Sequence, residues 1–297
     1  MSKHIRFDWA MKRLLRNKAN YVILEGFLSV LLKEDIHITE ILESEGNKDS
    51  EHDKYNRIDI LVKNSKEELV LIEVQNENEN DYFHRMNYGQ AKLTTEYLYE
   101  GDDYGKIKKI YSVNIVYFNL GQGDDYVYMG QTEFHGLHTH SLLQLNNAQK
   151  KIYPVNQVSD IFCTYYILKV NNFNDYAKDS LDEWIYFLKN SEIKNEFRAK
   201  GLAEARERLL RDQLSPSDKE SYDQFIKNRR VNENVFETAI LEGEMKAEKK
   251  YLPLIEEAKH REREAMLKLA ARMKKYGEPI SDIIRETGLS EGEIRDL

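Results

Sequence analysis

An α/β core followed by a helical region is the fold class that this sequence predicts, on three observations. Two runs rich in Ile, Val and Leu, around Ile58–Val62 and Leu69–Val74, flank the polar stretch Asn64-Ser65-Lys66-Glu67 and read as a β-hairpin. Helical and strand-like segments alternate around that hairpin. From about Asp175 onward the apolar residues switch to helical spacing, as in Leu181, Trp184, Ile185 and Leu188. The expected division is a core over residues 1–172, with added strands, and a helical region over 173–297.

Taken in order, the elements expected are a helix over about Phe7–Leu32, a strand over Ile36–Glu45 and the hairpin strands. A helix over about Tyr82–Tyr99 and a strand over Lys108–Phe118 follow. Gly121-Gln122-Gly123-Asp124-Asp125 reads as a turn, with an extra strand over Tyr126–Phe134 and strand-like alternation over 152–170. Leu214-Ser215-Pro216-Ser217 is a break, and Pro216 suits the first turn of the next helix. Glu233–Lys275 is a charge-laced helical stretch, expected to be interrupted or bent near Pro253. The last segment resembles a helix-turn-helix end, with Gly288 ending one helix and Ser290 and Glu293 forming a capping box for the next. Its second helix is short and carries Arg295 as its basic residue, which favours packing or self-association over base reading.

The hairpin carries the chemistry. Asp59 and Glu73 occupy strand positions where an apolar residue is expected, and Gln75 follows Glu73 by two. A buried charge is costly unless it is paired or binds a metal. Alternation puts Asp59 with Leu61 and Glu73 with Leu71 and Gln75. The two carboxylates share a face only if the connecting loop is odd, for example residues 64–68, and a one-residue slip separates them. Directly opposite, their Cβ atoms would lie roughly 4.5–5.5 Å apart. Hard carboxylate oxygens favour Mg²⁺, Mn²⁺ or Ca²⁺. The alternative is that both are solvated or paired, with Arg57 or Lys63 as partners.

Composition bounds the remainder. One cysteine, Cys163, excludes an internal disulfide framework and a multi-cysteine zinc site, and its apolar neighbours make it a packing residue. His135, His138 and His140 follow no strong zinc spacing, and Gly136 points to a loop. No apolar stretch reaches the ~20 residues that span a bilayer. The N-terminus shows no signal-peptide core, so a cytoplasmic location is expected. A net charge of −8 argues mildly against generic nucleic-acid coating but allows a local basic groove. Candidates for such a groove are Lys12, Arg13, Arg16 and Lys18 on the first helix and Lys106, Lys108 and Lys109 before the last core strand.

The ordered set of pieces resembles PD-(D/E)XK nucleases with their α-β-β-β-α-β core, and within them the recombination-promoting, transposase-like nucleases. The pieces are Asp8 with Lys12, the Asp59 strand, Ile72-Glu73-Val74-Gln75 and Tyr82-Phe83-His84-Arg85-Met86-Asn87-Tyr88. Ile110–Ile115 and His135–His140 complete the set, over roughly residues 5–190. The resemblance implies metal-dependent endonucleolytic cleavage of DNA, with Asp59 and Glu73 holding Mg²⁺ and Gln75 standing where the wider superfamily has Lys. It also implies an extra first-helix ligand at Glu25, and phosphate contacts from Arg85, Lys92 and Lys12. On residues alone, Arg85 could equally pair with Asp81 and Lys92 with Glu96. The alternative function is a nuclease fold that cleaves weakly or not at all and serves as a DNA-binding or oligomeric scaffold. Homo-oligomerisation through the helical C-terminal region is expected in either case.

Overall fold

A computed structural model describes residues 4–42, 60–98, 103–153 and 155–297. The elements in chain order are α1 (Phe7–Arg13), α2 (Tyr21–Leu32), β1 (Ile38–Leu42), β2 (Ile60–Asn64), β3 (Leu69–Gln75), α3 (Tyr82–Glu96) and β4 (Ile110–Val116). They continue with β5 (Val127–Gly130), α4 (Asn147–Ile152), β6 (Thr164–Lys169), α5 (Ser180–Asn190), α6 (Leu202–Arg208), α7 (Pro216–Lys275), α8 (Ile280–Thr287) and α9 (Glu291–Arg295). The described residues fall into two compact units, Met1–Asp223 and Gln224–Leu297.

In the first unit the strands form a six-stranded sheet in the order β1-β2-β3-β4-β6-β5. β1, β2 and β3 run antiparallel, β4 and β6 continue parallel to β3, and β5 closes the far edge antiparallel to β6. The parallel centre follows from its sequence, because β3 and β4 are nearly continuous apolar runs buried on both sides. One face carries Leu61, Leu69 and Leu71, which pack with Leu93 of α3 and with Cys163. On the other, the Tyr117 hydroxyl donates to Leu188 O of α5 at 2.8 Å. α3 and α5 therefore cover opposite faces. α2 joins the α5 layer through the Phe7, Phe27 and Trp184 rings, whose centroids lie 5.4–6.0 Å apart in edge or tilted geometry.

Of the two registers that alternation left open, the hairpin has the one with an odd connection, with Ile60 opposite Ile72, Leu61 opposite Leu71 and Lys63 opposite Leu69. An odd connection makes this register. Asn64 N donates to Glu68 O at 3.0 Å, and Glu67 takes the left-handed conformation at φ 63°. That is the three-residue loop in which a left-handed residue ends the turn. The Asn64 side chain locks it by accepting from Lys66 N at 3.0 Å and Glu68 N at 2.9 Å.

Several expectations are corrected. The first helix is two helices, not one over Phe7–Leu32, because Asn17 accepts from Ala19 N and Asn20 donates to Leu14 O, diverting the backbone into a 3₁₀ turn over Lys18–Asn20. β5 ends at Gly130 rather than Phe134, and the chain then makes an exposed hairpin loop in which Gly136 N donates to Ser141 O. Among the described residues of 152–170 only Thr164–Lys169 is strand, and the stretch is entered from α4, whose capping box pairs Asn146 with Gln149. α5 and α6 lie in the sheet's own unit, although residues from 173 onward read as a separate helical region. α7 starts at Pro216, as the break at Leu214–Ser217 predicts, but it runs 60 residues through Pro253 without the expected interruption.

The second unit bears out its end signals. Gly288 is left-handed at φ 65°, and the Ser290–Glu293 capping box starts α9. Ile283, Leu289 and Ile294 pack on Ala270 and Met273 of α7. Among the described residues no helix is long and apolar enough to cross a membrane.

Candidate active site

β3 delivers Glu73 and Gln75 to the α3 face, in line with Leu71. Glu73 is only 3 % exposed, a position where an ionised carboxylate needs cationic company. Its in-register neighbour on β4 is Asn114, fully buried. The Asn114 amide is satisfied on both ends. Its oxygen accepts from the Tyr82 hydroxyl at 3.2 Å, and its nitrogen donates to Ser112 O at 3.1 Å and Ser112 Oγ at 3.0 Å. A neutral, fully bonded amide thus flanks the buried carboxylate and fixes the first turn of α3 against the sheet.

That first turn brings in Arg85. Its Nε lies 4.0 Å from Glu73 Oε2, and its Nη1 donates to Glu79 at 2.8 and 3.1 Å. Glu79 also accepts from Gln75 Nε2 at 2.7 Å. Burial acts to lower the Arg85 pKa, but Glu73 and Glu79 outweigh it and hold the guanidinium above its ordinary value. Among the described residues, the Glu73 and Glu79 carboxyl groups thus share the Arg85 guanidinium.

Behind the site a second polar cluster pins the end of β3. Asn76, the residue after Gln75, donates to Asp8 Oδ2 and accepts from Arg6 Nη2, both at 3.2 Å. Arg6 also grips Asp8 at 2.8 Å and lies 4.8 Å over the Tyr117 ring. Consecutive residues therefore face opposite layers, Gln75 the α3 side and Asn76 the α1 side.

Of the residues singled out from sequence, Glu73, Gln75 and Arg85 come together. Arg85 takes Glu73 and Glu79 as partners rather than Asp81, whose backbone oxygen it meets only through its own N–H at 3.1 Å. Asp59 lies outside the described residues. Glu25 sits on α2, in the layer opposite α3, and its Oε1 accepts from Ile38 N at 2.8 Å. Lys92 is half-buried two turns beyond Arg85, and Lys12 is exposed on α1. Cys163 is buried in the core, where burial pushes its thiol up to about 12. His135 accompanies Glu133 at 3.1 Å in the exposed loop, and among the described residues no three His, Cys, Asp or Glu side chains gather to hold a metal ion.

Glu79 and Asn114 were missed. Asn114 carries the same signal that exposed Glu73, a polar residue inside an apolar strand run, and the same rule finds it. Glu79 carries none. It stands in the polar stretch Asn76–Asp81, where no periodicity says which side chain turns inward.

No curated protein and no solved structure matches the chain. Residues 5–239 match the model of the PD-(D/E)XK nuclease family transposases, a span that takes in the sheet, α3 and the Glu73 cluster. The chain belongs to that family.

Proposed function

We propose that this protein is a metal-dependent DNA endonuclease whose site is built on Asp59, Glu73 and Gln75. The observation that carries the reading is Glu73, a buried carboxylate on the central strand beside Gln75 and inside an arginine-bearing cluster. The described β2–β3 register runs from Ile60 opposite Ile72 to Lys63 opposite Leu69. The donor set is all oxygen, from carboxylate and amide, which suits Mg²⁺ or Mn²⁺. When bound, such an ion polarises a phosphate and lowers the pKa of an attacking water.

The chain's own residues would divide the work. Asp59 and Glu73 would hold the ion, and Gln75 would bind a water or the ion by its amide. Arg85 would lend its positive charge to a phosphate while its Nη1 keeps Glu79. Lys92 and Lys12 would steer the DNA backbone, and Glu25 would reach the ion only by leaving Ile38. Incubating supercoiled plasmid with the protein and Mg²⁺, Mn²⁺ or Ca²⁺ tests the site. Glu73→Ala and Asp59→Ala are each expected to slow nicking on the order of 10³-fold, the several kcal/mol that a bound metal supplies. Nicking that survives both substitutions would sink the site. A salt-dependent mobility shift without nicking would instead support the scaffold reading.

Self-association through α7 belongs to the same proposal, with a second copy of the chain as occupant. Val231, Leu241, Met245, Leu252 and Ile255 are about half exposed or more, and they fall on the first and fourth positions of a seven-residue repeat. Glu244 and Lys249 flank that seam with the spacing at which parallel copies pair across it. Light scattering at tens of micromolar should show a dimer or higher species that Leu252→Glu reduces to monomer. A wild-type protein that is monomeric at that concentration would refute the seam.

A further inference from the structure

The Gln75 amide has two chemically different ends, and the cluster decides which one faces the site. Its Nε2 is engaged with Glu79 Oε1 at 2.7 Å. A carboxylate paired with a guanidinium accepts hydrogen bonds and donates none, and Arg85 holds this one at 2.8 and 3.1 Å. Turning the amide over would set two acceptors against each other at hydrogen-bond distance in a half-buried place, a costly arrangement. The orientation therefore follows from the partner's chemistry.

We infer that Glu79 is a positioning residue that turns the carbonyl oxygen of Gln75 toward the site, so that Gln75 acts there as an oxygen acceptor. The inference rests on the cation-site reading above. A neutral carbonyl oxygen can ligate a hard divalent ion or accept from a water upon it, and from that end it cannot donate to a phosphate. Arg85 has a part in this: by fixing the carboxylate of Glu79 on one side it fixes the amide on the other. Such supporting partners characteristically change metal affinity about 10–100-fold when removed.

A double-mutant cycle read by calorimetric Mn²⁺ titration of the full chain separates this role from simple charge or structure. Glu79→Gln releases the amide to present either end, and Mn²⁺ affinity should fall roughly tenfold. Gln75→Met removes the oxygen at nearly constant length and should cost a similar factor. In the Gln75→Met background, Glu79→Gln should then cost nothing more, because the oxygen it positions is gone. Glu79→Asp, which keeps the charge and loses the reach, should behave like Glu79→Gln. Melting temperatures of all variants check that each is folded. Costs that add across the cycle, or Glu79→Gln and Glu79→Asp both binding like the wild type, would overturn the role of Glu79 while leaving the cation site standing. A wild-type protein that takes up no Mn²⁺ would overturn both.

Discussion

Asp8→Ala is expected to cost the fold about 3–5 kcal/mol, the usual consequence of deleting one partner of a buried ion pair. Asp8 is 2 % exposed and Arg6 is 7 % exposed, so the substitution leaves a guanidinium over Tyr117 without its charge partner. It also strips Asn76 and Trp9 N–H of an acceptor, at 3.2 and 2.8 Å. Urea unfolding should show a lower midpoint with an unchanged slope. A loss below about 1 kcal/mol would show that the pair is solvated in solution and that the polar knot is not holding β3. The pH dependence has a definite sign. Burial, the largest influence, pushes the Asp8 carboxyl up, but Arg6, Asn76 and Trp9 N–H outweigh it and hold it below the ordinary carboxylate range. A carboxyl lowered by folding contributes stability that is complete above its unfolded pKa, near ~3.9. That stability is lost as pH falls through the folded value. The acid limb of wild-type stability should therefore be steeper than that of Asp8→Asn.

Gly26→Ala should be comparably severe for a different reason. A Cβ on Gly26 would stand 2.4 Å from Lys200 O and 2.5 Å from Gly201 Cα, both backbone atoms that no rotamer change can move aside. Gly201 is itself left-handed at φ 83°, and its own Cβ would meet Gly26 Cα at 2.9 Å. The two glycines let α2 and the start of α6 touch backbone to backbone, and one methyl group forces them apart. Overpacking of this kind costs about 3 kcal/mol or more. Gly243 in α7 is the control, since nothing stands within 4 Å of its added Cβ. There alanine should stabilise by about 0.5–1 kcal/mol through helix propensity. Equal effects at the two positions would refute the close approach.

What was legible in the sequence was periodicity, and what was hidden was partnership. The alternation of Leu69–Gln75 is enough to put Glu73 and Gln75 on one side of β3, and the odd loop then follows from the need to bury both strands. The break between α1 and α2 was hidden because Asn17 and Asn20 compete for backbone groups locally, without disturbing the apolar spacing of Leu14, Leu15 and Ile23. α4 was hidden for the converse reason. It is an exposed helix made by its cap, with no buried face to show a period. The α5 stripe was readable, but its destination was not: Trp184 and Phe187 pack on Phe7 near the N-terminus, and spacing does not name a partner. In the site itself, Glu73 and Gln75 were found and Asn114 and Glu79 were not; the parity of β4 could have given Asn114, but the loop that carries Glu79 has no parity to read.

The turn between β2 and β3 has an implication for how this family member can change over time. Its three residues, Ser65, Lys66 and Glu67, are exposed, so the identities of Ser65 and Lys66 are open to drift, while the left-handed Glu67 position favours Gly or Asn and disfavours β-branched residues. Their number is not. One residue more or fewer would exchange the two faces of β2, sending Leu61 away from the α3 core and Ile60 and Val62 into it. Substitutions at Ser65 and Lys66 should be nearly silent while insertions and deletions are eliminated, so related chains should differ in the letters of this turn and agree in its length.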